Sequence, residues 1–508
     1  MDMYPNTNQV ADATTLTFES IALRRAALWA ELELLGDPRT IARPEDNEIL
    51  DTDSYKLCHQ AMYKVLGVTS AFSYIEPRIE GEKILFVGLQ LWRKRFKPIT
   101  HAMIDQAEEF FAAHIVGGRE MFPRADWEKV VNVYGGYPPL IIRALPEGTV
   151  IPSQNALVTI ECTDPELAWM AAYFETTLLR AIWYPVTVAT RSMKNRNIIK
   201  KYLALTSDLD IESAIAFMYH DFGARGVSSR ESAGIGDFAH LATGAMGSDT
   251  ITGVLYANVY YNEAMAAFSV FATEHSIMTM RGKSGELQTV RDLIRTYNKA
   301  PGTIVSIVSD GYNIFELAMH YCTTLKQEIL DSGINLVVRP DSGDPVSVIL
   351  TLLDMFAEHY GVVINNKGFK VLNVVRILQG DGLATSEDFE RILIAVMEAG
   401  YSVENLVFGQ GGGLLQMVNR DDLKFAMKTC AAKINGVYVD VFKDPITDQG
   451  KRSKKGRLTV AKNLLGEYQT IRIEDLDENH TEALETVWVN GQNLVDYNLA
   501  DIRIRANQ

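Results

Sequence analysis

The sequence predicts an α/β fold with buried parallel strands, and three observations carry that expectation. Four runs of largely apolar, β-prone residues stop abruptly at charged residues or glycine: IVSIVSDGYN (304–313), NLVVRPDSGDP (335–345), VVRILQGDGL (374–383) and NLVFGQGGGLL (405–415). Continuous apolar runs of this length are how strands covered on both faces read. A helix-compatible segment usually follows each run, and strand and helix signals alternate from about 214 to 418, the pattern of βα units. The carboxyl ends of such strands are where α/β barrels and doubly wound sheets place their chemistry. Gly-rich turns leading into helices also present backbone amides to anions, so the pattern points to an enzyme acting on a phosphorylated, hydroxyl-bearing substrate.

The elements before and after that region differ in character. Residues 1–15 are polar, and 17–35 have helical periodicity ended by Gly36, Asp37 and Pro38. TDSYK (52–56) reads as a loop, AFSYIEPR (71–78) as a strand and FVGLQLWRKRF (86–96) as a helix. Segment 100–135 reads as helices, 139–162 as short strands with turns, and 164–204 as helical; after 430 the chain returns to short strands and turns. The expected organisation is an N-terminal extension (1–47), a flanking sheet-rich α+β domain from 48–204 with 419–508, and a catalytic α/β domain at 205–418.

Bulk properties narrow the class. The chain has 508 residues, 47% hydrophobic and 22% charged, with a formal net charge of −15. That acidity argues against general nucleic-acid binding and against retention on an anionic membrane. Cys58, Cys162, Cys322 and Cys430 are far apart with no CxxC pair, which argues against a disulfide framework or metal cluster. The N-terminus lacks the basic and apolar regions of a signal peptide, and no apolar run is long enough to span a bilayer. A soluble, cytoplasmic enzyme is the expectation.

Several motifs carry chemistry, each with a plainer alternative. FGQGGG (408–413) suits phosphate but also any tight strand–helix turn. Asp341 and Asp381, at neighbouring strand ends, suit the vicinal hydroxyls of a ribose, yet either serves equally as a helix N-cap. RGKS (281–284) resembles part of a P-loop, but Ile277 stands where its first glycine belongs. In HDFGARGVSSRESAGIG (220–236), His220 reads as a buried histidine and Phe222 as core or a ring stack. KDPITDQGKRSKKGR (443–457) holds six Lys/Arg against two Asp; it is either a solvated turn or a site for pyrophosphate, which Arg420 and Lys428 could join from a preceding helix.

TDSYK, SYIEPR (73–78), HDFGARGVSS (220–229), SAGIG (232–236), Glu274-His275, VSDGY (308–312), RPDSG (339–343), QGDG (379–382), GGGLLQ (411–416) and FKDP followed by KRSKKGR together resemble the nicotinamide phosphoribosyltransferase family, in order and spacing. The resemblance runs from Glu48 to the end, about nine-tenths of the chain. It implies an irregular α/β barrel of the type II phosphoribosyltransferase kind beside the sheet-rich domain, in a homodimer with shared active sites. The implied reaction joins nicotinamide to 5-phosphoribosyl 1-pyrophosphate with Mg²⁺, giving nicotinamide mononucleotide and pyrophosphate in NAD salvage, with ATP as a stimulating co-substrate. Nucleic acid and membrane are not expected partners, and the metal ligands are not assigned.

By this resemblance, Phe222 and Tyr55 of the facing subunit sandwich the nicotinamide ring, and Asp249 accepts a hydrogen bond from its carboxamide. Nicotinate would set a carboxylate against Asp249, and like charges there cost several kcal/mol. Arg339, Asp341, Gly380 and Asp381 would hold ribose and nearby phosphate oxygens, and Gly412 the 5′-phosphate. Arg225, Arg78, Arg420, Lys428, Lys443 and Lys451, several from the partner, would hold the remaining phosphate and pyrophosphate charge. Asp310 would position Mg²⁺ or His275, and His275 matches the family's phosphorylatable histidine. Three departures stand out: Asn313 where the family pattern has a carboxylate, Gln410 in place of a small serine, and one extra residue in HLATGAMGSD (240–249). The alternatives are a nicotinate-using relative, which needs a cation in place of Asp249, and a phosphate-binding barrel lyase or isomerase, which needs a Schiff-base lysine or an acid–base pair.

Overall fold

The computed structural model describes residues 46–447 and 452–508. The expected helix at 17–35 and Lys451 lie outside the described residues. Seven strands form one parallel sheet: β1 (Tyr219–Asp221), β2 (Gly247–Ser248), β3 (Phe271–Ala272), β4 (Ile304–Val308), β5 (Asn335–Arg339), β6 (Val375–Gln379) and β7 (Leu406–Gln410). Their spatial order is β2-β1-β7-β6-β5-β4-β3, and every neighbouring pair is parallel. A further parallel bridge joins Gly247 of β2 to Phe268, just ahead of β3. Phe268 N–H donates to Met246 O at 2.8 Å. The two sheet edges therefore meet, and the sheet curls into an irregular barrel.

The helices named here are α1 (Glu175–Thr206), α2 (Arg230–Leu241), α3 (Ile251–Tyr261), α4 (Glu286–Tyr297), α5 (Ile314–Cys322), α6 (Pro345–Tyr360) and α7 (Ser386–Glu398). Parallel strands need crossover connections, and α5, α6 and α7 supply those after β4, β5 and β6. Tyr219, Ile307, Val338, Ile377 and Phe408 on the strands are fully buried, as are Ile349, Leu353, Phe389 and Leu393 on the helices. This is why β4–β7 read as largely apolar runs: apart from exposed Ile304 and Asn335 at the starts of β4 and β5, their positions are buried or half-buried. Burial of this kind contributes about 25 cal/mol per Å² of apolar surface removed from water.

An antiparallel sheet of seven strands draws on both sides of the barrel sequence, in the order Val437–Asp440, Phe425–Ile434, Val68–Pro77, Val158–Cys162, Leu140–Ala144, Glu485–Val489 and Gln492–Asn493. Two sequence expectations are corrected here. Lys428 lies on the strand Phe425–Ile434 and Arg420 in the turn before it, not on a helix. Pairing of that strand with Val68–Pro77 overrides the helical spacing of the two cations. TDSYK is not wholly a loop, because Ser54–Cys58 forms a short 3₁₀ turn.

By packing, the chain divides into two compact units: residues through Met62 with Lys97–Pro138, and Tyr63–Phe96 with Pro139–Gln508. The smaller unit contains the helices His101–His114, Gly118–Met121 and Arg124–Tyr134. Thr100 caps the first by accepting from Met103 N–H at 3.3 Å, and Arg124 gathers Asp105, Glu108 and Glu128 at 2.6–2.8 Å. Among the described residues no helix is long and apolar enough to cross a membrane.

Candidate active site

Each parallel strand delivers glycine or a polar side chain at its carboxyl end. β1 leads into Phe222 and Arg225, β2 into Asp249, β3 into His275, and β4 into Asp310. β5 ends on Arg339 and leads to Asp341, β6 leads to Gly380 and Asp381, and β7 to Gly411, Gly412 and Gly413. Parallel alignment alone places these residues at one end of the sheet, however far apart they lie in sequence.

His275 opens the short helix His275–Thr279. Its Nε2 lies 2.9 Å from Asp310 Oδ1, and its Nδ1 3.9 Å from Asp341 Oδ2. A carboxylate oxygen accepts, so in the neutral ring a hydrogen on Nε2 would point to Asp310 and leave the lone pair on Nδ1. Asp310 also accepts from Ser342 Oγ at 2.5 Å, and its side chain is 7% exposed. Both Asp310 oxygens are thus engaged in holding the His275 ring and the RPDSG loop.

Arg339 donates from Nη2 to Thr273 O at 2.7 Å. Burial pulls its guanidinium below the usual value, while Asp341, Asp249 and Asp310 push it back up and Arg225 pushes it down. All four of these charged neighbours are predicted site residues. Its Nε is buried and unpaired among the described residues, a state that calls for a ligand oxygen.

Phe222 is half-buried and its N–H donates to Gln410 O at 2.9 Å. Its ring packs against Gly409, where an added Cβ would stand 2.0 Å from Cε2. Gly380 sits between two site groups, since a Cβ there would lie 3.6 Å from Asp341 Oδ1 and 3.9 Å from Phe222 Cδ2. Asp249 is exposed, accepts from Ser269 Oγ at 2.5 Å, and donates its own N–H to Asp221 O at 3.0 Å. A Cβ added to Gly226 would stand 3.4 Å from Gly412 Cα and N, so the Arg225 turn lies beside the Gly-rich loop. Nothing stands within 4 Å of where a Gly412 side chain would begin, so its backbone is open to an incoming group.

The helix caps decide two open alternatives. Asp344 caps α6, accepting from Ser347 N–H at 3.0 Å, and Thr385 with Asp388 forms a capping box on α7. Neither Asp341 nor Asp381 is a cap, so both carboxylates remain available to substrate hydroxyls. Asn313 replaces a carboxylate in order to cap α5, accepting from Phe315 and Glu316 N–H at 3.1 and 3.2 Å. His220 is tied to Phe217 O at 2.9 Å and burial lowers its pKa, consistent with a structural histidine.

The basic residues form a separate group on the antiparallel sheet. Arg78 Nε donates to buried Glu76 at 3.0 Å, and Lys454 pairs with the same carboxylate. The Arg78 backbone N–H reaches Leu423 O at 3.0 Å, and Phe425 N–H reaches Arg420 O at 3.0 Å. Lys428 lies across from Tyr74 in the register. Arg452 is paired with Asp444 at 2.9 Å, while Lys443 is exposed. Among the described residues, the cations of 443–457 are therefore not one free cluster. Tyr55, in the smaller unit, is 57% exposed.

The departure at Gln410 finds its role here, and two further residues, Asp221 and Asp237, escaped the sequence reading. Gln410 is fully buried; its Nε2 donates to Leu383 O at 2.8 Å, and its Oε1 accepts from Asn195 at 3.2 Å and from Tyr219. Where a serine was expected, this longer amide locks β7 to β1 and to the loop after β6. Asp221 and Asp237 are also fully buried. No composition signal marks a carboxylate as buried when its partners come from other segments.

Known proteins agree with this geometry. The model of the nicotinate phosphoribosyltransferase (NAPRTase) family matches residues 217–492, and that of the nicotinamide phosphoribosyltransferase N-terminal domain matches 47–142. A nicotinamide phosphoribosyltransferase of Xanthomonas campestris is 44% identical over 470 residues, covering 91% of this chain and 98% of the relative. One from Acinetobacter baylyi is 32% identical over 505 residues, covering 91% and 97%. This chain belongs to the nicotinamide phosphoribosyltransferase family. Its fold is shared with the crystal structure of nicotinate-nucleotide pyrophosphorylase from Pyrococcus furiosus, at TM-score 0.59 and 16% identity over 90% of this chain and 93% of that one. Human nicotinic acid phosphoribosyltransferase follows at TM-score 0.54 and 14% identity over 90% and 92%. Both the family and the type II phosphoribosyltransferase barrel expected from the sequence are borne out.

Proposed function

We infer that this chain is a nicotinamide phosphoribosyltransferase, transferring the phosphoribosyl group of 5-phosphoribosyl 1-pyrophosphate to nicotinamide in NAD salvage. The observation that carries the reading is the convergence of Phe222, Asp249, Arg339 and Asp341 at one end of the barrel. The pyridine nitrogen is unprotonated near neutral pH, so its lone pair attacks ribose C1 without a general base. The new C–N bond forms as the bond from C1 to the pyrophosphate oxygen breaks, and pyrophosphate leaves with that electron pair. What the protein must supply is alignment and charge. Phe222 offers a flat face to the ring, Asp249 accepts from the carboxamide, and Asp341 and Asp381 accept from the ribose hydroxyls. Arg339 and Arg225 face phosphate oxygens. Mg²⁺ is commonly held by one or two carboxylates and by phosphates, and Asp341, 36% exposed, fits such a role; the ion would neutralise pyrophosphate. The test is whether purified protein converts nicotinamide and 5-phosphoribosyl 1-pyrophosphate to mononucleotide and pyrophosphate in equal amounts, dependent on Mg²⁺.

The nicotinate alternative is disfavoured by Asp249, which stands where a cation would be needed. The lyase or isomerase alternative is disfavoured by the family match, which runs over most of the chain. ATP would phosphorylate His275 at Nδ1, the nitrogen that does not face Asp310. The enzyme would act as a homodimer, with Tyr55 and the cations of the antiparallel sheet completing the partner's site. Supporting this, Ile251, Leu255 and Val259 form an exposed apolar stripe along α3, directly after Asp249.

A further inference from the structure

Beneath Phe222 and Asp249 lie two carboxyl groups that nothing in the reaction requires to be there. Asp221, the last residue of β1, and Asp237, on α2, are both fully buried. Asp221 Oδ1 accepts from Gly223 N–H at 2.8 Å, and its Oδ2 accepts from Thr250 Oγ1 at 2.5 Å. Asp237 Oδ1 accepts from Ser248 Oγ at 2.8 Å. Read as an ion, Asp237 Oδ2 is buried with no partner, and it lies so close to α3 that a Cβ on Gly253 would stand 2.1 Å from it. Read as a protonated acid, it donates to Asp221 and the orphan disappears.

The connections of this pair have a clear pattern. Ser248 and Thr250 flank Asp249, and each hydroxyl is bound to one member of the pair. Thr250 N–H also donates to Ser248 Oγ at 2.9 Å, and Asp249 N–H donates to Asp221 O. Gly223, held by Asp221 Oδ1, directly follows Phe222. The two residues assigned to the nicotinamide ring are thus both fixed through this pair.

We propose that Asp221 and Asp237 share one proton as a buried dyad whose single charge positions Asp249 and Phe222 for the nicotinamide ring. Both are positioning residues; neither touches substrate. Burial pushes Asp237 well above the usual carboxylate range, with the Asp221 charge adding to the effect, and raises Asp221 to about 6. The other groups that face the pair are Asp249, Tyr184 of α1 and Tyr219 of β1, with His220 and His240 beside it on β1 and α2. Burial raises both tyrosines and lowers both histidines, so all four are neutral near pH 7, while the Asp249 charge pushes both carboxyls of the pair up. Below about pH 6 Asp221 takes up a proton, the clamp on Gly223 and Thr250 weakens, and nicotinamide binding weakens with it.

The inference rests on the role given to Asp249, and the test separates the two. Steady-state KM values for nicotinamide and for 5-phosphoribosyl 1-pyrophosphate are measured from pH 5 to 8 in the wild type, Asp237→Asn, Asp237→Leu, Asp221→Asn and Asp249→Ala. Asparagine at 237 keeps a neutral donor toward Asp221, so Asp237→Asn should retain both KM values and the acid limb in nicotinamide KM near pH 6. Asp237→Leu removes that donor and should raise the nicotinamide KM by roughly tenfold, while the phosphoribosyl KM stays within about twofold. Asp221→Asn should raise the nicotinamide KM at every pH and abolish the acid limb. The proposal is overturned if Asp237→Asn is as impaired as Asp237→Leu, or if Asp221→Asn keeps the wild-type pH profile. If Asp249→Ala alone leaves nicotinamide KM unchanged, it is the amide reading that fails. Should Asp237→Leu not fold, the Asn variants decide the question alone.

Discussion

Replacing Gly409 by alanine should damage nicotinamide binding without changing any residue assigned to the nicotinamide ring. An added Cβ at Gly409 would stand 2.0, 2.2 and 2.8 Å from Cε2, Cδ2 and Cζ of Phe222. Ordinary carbon–carbon contact is about 3.5–4.0 Å, so the ring must retreat by roughly 1.5 Å toward the mouth of the barrel. Offset stacking is worth about 0.5–1.5 kcal/mol beyond area burial, and overpacking adds about 1–3 kcal/mol of strain. If the stacking is lost and part of the strain falls on the bound complex, nicotinamide KM rises by about three- to thirtyfold. The assay is initial-rate kinetics with each substrate varied in turn, together with a Gly409→Ala/Phe222→Ala double mutant. Because alanine at 222 has no ring to displace, Gly409→Ala should add little in that background. Additive effects in the double mutant, or an unchanged nicotinamide KM in the single one, would refute the account of how Phe222 is seated.

Four other outcomes follow from the same geometry. Asp249→Ala should raise nicotinamide KM by roughly tenfold or more while the phosphoribosyl pyrophosphate KM holds, measured by the same kinetics. His275→Ala should abolish stimulation by ATP yet leave basal transfer, and radiolabelled ATP should no longer mark the protein. Gln410→Ala should cost about 2–4 kcal/mol in denaturant unfolding, because Tyr219, Asn195 and Leu383 O lose a shared buried partner. Mixed heterodimers of inactive Tyr55→Ala and Arg339→Ala subunits should regain activity, since one of the two shared sites would then be intact.

Strands β4 to β7 were legible because each is five residues long and mostly covered on both faces, which leaves a largely apolar run. β1, β2 and β3 have only two or three residues, too few for any periodicity, and they merged with the Gly-rich loops around them. Phe222, Arg225, Asp249 and His275, which follow these short strands, were named in sequence only through the family resemblance. Arg420 and Lys428 were misplaced because spacing of eight suits a helix as well as a turn and strand, and only pairing with Val68–Pro77 decides it. The Asp221–Asp237 dyad was invisible for a deeper reason. Its burial is created by Ser248, Thr250 and Gly253, which approach from β2 and α3, and a chain read in one dimension does not record that approach.

The measurement that bears most directly on the whole account is the ratio of kcat/KM for nicotinamide to that for nicotinate, at saturating 5-phosphoribosyl 1-pyrophosphate and Mg²⁺. With Asp249 facing the ring substituent, mononucleotide should form from nicotinamide and not detectably from nicotinate. Equal or greater turnover of nicotinate would contradict the role of Asp249 and the substrate assignment built on it.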